Sequence, residues 1–195
     1  MRLSGLNRGL RALLCLGATL ASIPHAQAAF HLWTIREIYT DASGSLQFME
    51  LFDFNSNENF VNGMTINVSN VGNTQTHSFT IPGSSLPGNT ANHALLFGTA
   101  GLQAAGGPAP DYIIPNGFLF SAGGSISFFG ANSGSYTAMP TDGVNSRTWA
   151  GGNAANSPVN YNGATGFVVA PEPGALALLG VGCFAALFRR RDARR

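Results

Sequence analysis

The chain is 195 residues long, contains no lysine, and has charged residues at only 10% of its positions. Residues 29–170 carry two arginines and seven acidic residues, a net charge of −5, which argues against a nucleic-acid partner because phosphates attract cationic surfaces. Both cysteines, Cys15 and Cys183, lie in apolar segments near the ends, so the middle of the chain has neither a disulfide framework nor thiol chemistry.

The first 28 residues have the pattern of a secretory signal peptide. Three arginines within residues 1–11 precede an apolar run over 12–23, and Ala26 and Ala28 supply the small residues of a cleavage site. We therefore predict that residues 1–28 are removed and that the mature chain begins at Ala29. A retained membrane helix is the alternative, which the short apolar run and the cleavage pattern disfavour.

Residues 29–169 have the pattern of a single all-β domain. No segment there shows a sustained helical period, whereas short runs of β-branched and aromatic residues alternate with turns rich in Gly, Asn and Pro. This arrangement predicts an antiparallel β-sandwich. The predicted strands cover residues 31–39, 46–54, 60–68, 76–81, 94–97, 112–114, 118–120 and 125–129, with a weak strand over 132–138.

The large side chains of these runs are predicted to form the core. In the second run, Phe48 and Phe52 lie on one face and Met49 and Leu51 on the other, because side chains alternate along a strand. Residues 148–166 are mostly small and polar, so we expect an irregular, partly packed segment there. An exposed aromatic platform for carbohydrate is an alternative interpretation of Trp33 or Trp149.

The candidate chemical groups of residues 29–170 are few. His31, His77 and His93 lack the spacing of a metal site, and residues 41–45 resemble a calcium loop less than a hairpin turn. The sequence also contains no nucleophile elbow or phosphate loop. We therefore predict no catalytic residue, no metal site and no cofactor.

A structural ion pair is the main polar feature that the sequence predicts in the domain. Glu50 lies on the same strand face as Phe48 and Phe52, so its carboxylate is expected to be partly buried. A buried carboxylate needs a hydrogen-bond donor, and Arg36 on the neighbouring strand can provide one. Asp53 lies on the opposite face, so it cannot form a carboxylate pair with Glu50.

The C-terminal segment 170–195 has three parts in a fixed order. Pro171-Glu172-Pro173-Gly174 is followed by an uncharged apolar run over 174–188 and then by Arg189-Arg190-Arg191. As a helix, 15 residues span roughly 22 Å, somewhat less than a bilayer core of about 30 Å. Arginine side chains reaching to the interface can compensate, and the arginines are expected to stay cytoplasmic. A buried core helix or a plain apolar anchor is the alternative.

These three parts resemble the PEP-CTERM sorting signal of Gram-negative bacteria. The resemblance implies recognition and cleavage near the motif by an exosortase, a membrane-embedded processing enzyme. It also implies hosts that make exopolysaccharide. The segment 174–188 would then be a transmembrane helix that holds the domain on the periplasmic side of the inner membrane until processing.

A second resemblance covers about residues 32–130. The runs Phe48-Met49-Glu50-Leu51, Gly63-Met64-Thr65-Ile66 and Phe79-Thr80-Ile81-Pro82 are similar to those of a lamin-tail domain. Met64 stands where that family has a tryptophan. The resemblance implies an immunoglobulin-like sandwich that serves as a structural or binding module.

Together these features predict an exported protein that is not an enzyme. After processing it would reach the cell surface or extracellular matrix, with a binding or structural role linked to exopolysaccharide. The alternatives are an extracellular hydrolase acting on polysaccharide or peptide, and a calcium-dependent binding module.

Overall fold

The computed structural model describes residues 32–128 and 133–170, which contain ten β-strands and no helix. The strands are β1 (Thr34–Thr40), β2 (Gln47–Asp53), β3 (Thr65–Asn70), β4 (Thr76–Thr80), β5 (His93–Gly98), β6 (Tyr112–Ile113), β7 (Gly123–Phe128), β8 (Ser133–Thr137), β9 (Asn145–Thr148) and β10 (Asn153–Ala155). The predicted signal peptide and C-terminal membrane helix lie outside the described residues. Among the described residues, no helix has the length and hydrophobicity needed to cross a membrane.

The strands form two sheets with a shared hydrophobic core. The larger sheet has the order β10-β9-β1-β2-β5-β6, and the smaller sheet has the order β4-β3-β7-β8. Both contribute side chains to one buried cluster, which includes Met49, Leu51, Leu95 and Phe97 from the larger sheet and Ile66, Val68, Ile126 and Phe128 from the smaller. The all-β prediction is confirmed for this part of the chain, since two packed sheets explain the alternating apolar positions.

The larger sheet is buried on both of its faces. Met49 and Leu51 of β2 point into the main core, whereas Phe48 points to the outer face, as the alternation predicts. There Phe48 stacks on Tyr39 with ring centroids 5.2 Å apart. The outer face is covered by the loop after β5 and by the C-terminal part of the domain, which together complete a second small core of Tyr39, Phe48, Leu96, Leu102 and Val168.

Two strand predictions are wrong in detail. Residues 118–120 form no strand, because the buried side chain of Gln47 binds the backbone of Leu119 instead: Gln47 Nε2 donates to its carbonyl at 2.8 Å and Oε1 accepts from its N–H at 3.0 Å. The sheets are also not wholly antiparallel. β5 and β6 pair in parallel, which the long connection over 99–111 allows.

The expectation of an irregular, partly packed segment over 148–166 is confirmed in part: residues 150–155 and 162–165 are exposed, but the segment also contains a strand. Thr148 ends β9 and residues 153–155 form β10, and these two strands extend the larger sheet beyond β1. The next residues, 156–170, fold onto the outer face of the same sheet, with Asn156, Tyr161 and Val168 buried. We call residues 156–170 the C-terminal strap. Hydrogen bonds, rather than large apolar side chains, hold its small and polar residues to the sheet.

Candidate functional site

Acidic side chains hold the outgoing half of the C-terminal strap. There are three such carboxylates, and each accepts a hydrogen bond from one backbone N–H of the strap. The three N–H groups belong to every second residue of the strap. The pairs are Glu37 Oε1 with Ser157 N at 3.0 Å, Glu50 Oε2 with Val159 N at 2.8 Å, and Asp111 Oδ2 with Tyr161 N at 2.9 Å. Alternate N–H groups of an extended chain point the same way, so the strap presents one row of donors to the sheet.

The three strap-binding carboxylates come from successive positions across the sheet. Glu37 belongs to β1 and Glu50 to β2, and the two residues are direct cross-strand neighbours. Asp111 lies beyond β5, where its Oδ2 also accepts from Leu96 N at 2.8 Å. The strap therefore crosses the strands rather than running alongside them. This arrangement explains why an acidic domain can bury several carboxylates: each one receives a backbone donor.

The returning half of the strap is fixed by a buried asparagine. Asn156 Oδ1 accepts from Val168 N at 2.7 Å, and Asn156 Nδ2 donates to the carbonyls of Val168 at 2.8 Å and Val144 at 2.7 Å. Farther along, Ala170 N donates to the carbonyl of Gly143 at 3.0 Å. The same carbonyl accepts from the hydroxyl of Tyr39 at 2.9 Å. Ordered hydrogen bonding therefore continues to the last described residue.

Gly143 is required at this junction. Its φ is +80°, a conformation that favours glycine, and a Cβ at this position would collide with the carbonyl oxygen of Ala170. The close approach of the two backbones fixes where the chain leaves the sheet, which is next to the C-terminal end of β1.

Glu50 is the most deeply buried of the three carboxylates, with none of its surface exposed. Burial raises the pKa of Glu50 from the usual 4.5 to about 7. The hydrogen bond from Val159 N–H and the charge of Arg36 lower this pKa, whereas the charge of the neighbouring Glu37 raises it further. The Nη1 atom of Arg36 lies 3.1 Å from Glu50 Oε1, and half of the Arg36 side chain is exposed. The structure thus contains an ion pair between Arg36 and Glu50, the two residues that the sequence predicts to pair.

The buried Glu50 should make the stability of the domain depend on pH. Because the folded state holds the Glu50 proton more tightly than the unfolded state, the free energy of unfolding should decrease as the pH rises from about 4.5 to about 7. The difference between the two pKa values corresponds to a decrease of about 3 kcal/mol in the free energy of unfolding. We expect this decrease in chemical denaturation of the full chain in detergent at pH 5 and pH 8, and we expect Glu50→Gln to reduce it. An unchanged pH dependence in Glu50→Gln, with Asp192→Asn as the control, would contradict this assignment.

The other predicted polar groups are dispersed. His77 Nδ1 contacts the carbonyl of Phe118 at 2.9 Å, and His93 Nδ1 contacts that of Tyr161 at 2.8 Å, so both imidazoles bind backbone. Within the described ranges, no group of three or more His, Cys, Asp or Glu side chains could hold a metal ion. His31 lies outside those ranges.

The loop over 41–45 is a hairpin turn stabilised by its aspartate. Asp41 Oδ1 accepts from Leu46 N at 3.1 Å, and Oδ2 accepts from the hydroxyl of Ser45 at 3.0 Å. Burial alone would raise the pKa of Asp41, but these hydrogen bonds and that from Ser43 hold it below its usual value. The carboxylate oxygens are thus used within the turn itself.

A groove with aromatic walls lies at the N-terminal end of β1. Phe52 and Phe54 meet edge to face with centroids 4.6 Å apart, and Phe54 is 71% exposed. The groove has a volume of about 470 Å³ and is also lined by Arg36 and Trp149. Trp33 takes no part, because it is wholly buried in the main core. The alternative of an exposed platform at Trp33 is therefore wrong.

The end of the strap overlaps a segment that matches a known protein family. Residues 169–195 match the family of the PEP-CTERM protein-sorting motif. This segment is a PEP-CTERM sorting motif. The PEP-CTERM motif implies an exported protein that is anchored transiently in the membrane and then processed by an exosortase. No curated protein and no solved structure matches the chain.

The sequence alone does not indicate which residues hold the strap to the sheet. Glu37, Asp111 and Asn156 are separated by long stretches of chain, and their common role depends on how the strap crosses the sheet. The only local signal was the acidic charge of a lysine-free domain, which already required partners for its carboxylates. Backbone N–H groups supply most of those partners, and the sequence cannot indicate them by residue type.

Proposed function

We propose that the β-domain is a non-enzymatic binding or structural module, carried to the cell surface or extracellular matrix by its PEP-CTERM motif. The observation that supports this proposal is the continuous hydrogen bonding of the strap up to Ala170, one residue before Pro171. The ordered strap thus reaches the residue directly before the first proline of the sorting motif.

The short connection after Ala170 limits how far the anchored domain can lie from the membrane. Between Ala170 and the apolar run that starts at Gly174 there are three residues, which can span only about 10 Å. The anchored domain would therefore rest close to the periplasmic surface of the inner membrane, with the exit point beside Gly143 facing the bilayer. Phe167 and Val169, which are 45% and 52% exposed, lie at this end of the strap and would approach the lipid interface.

The proposal of a non-enzymatic module is supported by the use of the buried acids. Glu37 and Glu50 are neighbours, as paired catalytic carboxylates often are, yet both lie beneath the strap and accept its backbone N–H groups. A hydrolase would need two carboxylates that reach substrate in an open cleft. The described histidines are likewise engaged with backbone carbonyls. The same proposal includes the resemblance to a lamin-tail domain, because that family provides structural or binding modules.

The sorting step can be tested by mass spectrometry of the protein recovered from the cell surface and medium. We expect a mature form that begins at Ala29 and lacks Phe184 to Arg195, and we expect this form to disappear when the host exosortase is deleted. Glu172→Ala should reduce processing, because it removes the acid between the two prolines.

Asp192→Ala is the matched control, since it removes an acid from the tail but leaves the motif and the arginine cluster unchanged. A surface form that still carries Phe184 to Arg195, or equal processing with and without the exosortase, would refute the proposed sorting.

A further inference from the structure

The aromatic groove combines apolar ring faces with one cation. The Phe54 ring is largely exposed, and Phe52 and Trp149 form the adjacent walls. The Arg36 guanidinium lies 5.4 Å from the centre of the Phe52 ring, where cation–π attraction holds it against the wall. An apolar pocket with a single oriented charged group is the usual composition of a small-ligand site, and the volume of about 470 Å³ is within the usual range.

Arg36 is in the groove because β1 has an irregularity there. The pairing of β1 with β2 shifts between Ile35 and Glu37, which leaves Arg36 without a cross-strand partner. Such bulges redirect a side chain. One terminal nitrogen of Arg36 faces Glu50, but half of the side chain is exposed, and a guanidinium has five N–H donors. Donors therefore remain for a ligand.

The charge of the groove differs from that of the domain around it. Residues 29–170 have a net charge of −5, yet among the residues that the structure describes no acidic one lines the groove. The hydroxyls of Thr34 and Thr148 at its rim each donate to a backbone carbonyl, at 3.1 and 3.0 Å, so their oxygens are left to accept hydrogen bonds. A complementary ligand has a carboxylate for Arg36, hydroxyl donors for the two threonines, and an apolar ring face for Phe54.

The position of the groove favours a ligand from outside the cell. The groove is formed at Thr34 of β1, whereas the chain leaves the domain beside Tyr39, near the other end of that strand. At about 3.3 Å per residue these positions are roughly 16 Å apart along the sheet. In the proposed anchored form, the groove would lie at the end of β1 farther from the membrane. The groove is also lined by only eight of the described residues, fewer than the roughly 20–30 that each partner contributes to a stable protein interface.

We propose that this groove binds an acidic saccharide, with the sugar ring on Phe54 and Trp149 and the uronate carboxylate on Arg36. The proposal gives a ligand class and a site to the binding role suggested under Proposed function, and rests on that role. The expected contact is a charge-assisted hydrogen bond between guanidinium and carboxylate, which can be bidentate, combined with contact of the ring's C–H groups on the aromatic face.

Isothermal titration calorimetry of the full chain in detergent would test the site, with trigalacturonate and its methyl ester as the two probes. We expect trigalacturonate to bind at least fivefold more tightly than the ester, because the ester lacks the charge that Arg36 binds. Phe54→Ala should weaken binding of both probes by about fivefold or more, since its ring is exposed and contributes mainly to ligand contact. Arg36→Gln should remove the preference for the acid.

Matched controls exist for both variants. Phe167→Ala removes another exposed aromatic ring at the far end of the domain, and Arg147→Gln removes the other arginine of residues 29–170. Both should bind like the wild type. If Arg36→Gln unfolds the domain, Arg36→Lys keeps the charge and should keep part of the preference.

Equal binding of acid and ester, absence of binding to either, or an unchanged affinity in Phe54→Ala would overturn the proposal. Because the ligands are added in solution, these outcomes do not depend on export or exosortase processing. Failure of the saccharide site is therefore distinguishable from failure of the sorting step.

Discussion

Asn156→Ala should release the C-terminal strap and destabilise the whole domain. Asn156 is 2% exposed, and the alanine would leave both the N–H and the carbonyl of Val168 without their side-chain partner, whereas the carbonyl of Val144 would keep the backbone N–H of residue 156. Unsatisfied buried polar groups cost about 1–3 kcal/mol each, so we expect a loss of about 3 kcal/mol or more in the free energy of unfolding. Chemical denaturation of the full chain in detergent would measure it.

Hydrogen exchange would show where the loss originates. The amides of Val168 and Ala170 should exchange much faster in Asn156→Ala, whereas amides of β2 and β5 should be affected only through global unfolding. Asn153→Ala is the matched control, because Asn153 is an exposed residue of β10 and its replacement should change little. Equal exchange in the two variants would show that Asn156 does not hold the strap.

The two-sheet core was predictable from the sequence because its signal is local. In β2 the alternation of Phe48, Met49, Glu50 and Leu51 assigned each side chain to a face, and the structure has the same assignment. The sequence also brought Arg36 to Glu50, since both lie on adjacent strands of a short hairpin. The register shift at Arg36 was not predictable, and it is the feature that brings Arg36 to the aromatic groove.

The strap was not predictable for a physical reason. A run of Gly, Asn, Ala and Ser indicates weak packing when burial is judged from apolar side chains. Here Asn156 and backbone N–H groups provide the attachment, and their partners are acids that lie 50 or more residues away along the chain. Glu50 was expected to pair with Arg36, but its second oxygen binds Val159 N. Long-range pairing of backbone with side chains leaves no periodic pattern in the sequence.

Trp33→Ala should cause the largest loss of stability of any single substitution considered for this domain. The Trp33 side chain is wholly buried in the main core, and its Nε1 donates to the carbonyl of Glu58 at 3.1 Å. Removal of a large buried aromatic side chain costs about 3–5 kcal/mol through lost burial and the cavity left behind. That loss is a large part of the 5–15 kcal/mol by which a domain is normally stable. Denaturation followed by circular dichroism would measure it without the tryptophan signal.

Trp149→Ala makes the comparison informative, because Trp149 is only partly buried at the aromatic groove. If Trp33 is a core residue and Trp149 a binding residue, Trp33→Ala should lower the free energy of unfolding far more, while Trp149→Ala should affect saccharide affinity more. Trp33→Phe should recover most of the lost stability, since it restores aromatic volume but not the hydrogen bond to Glu58. A Trp33→Ala variant as stable as the wild type would contradict the packing of the two sheets, because that packing buries the Trp33 side chain completely.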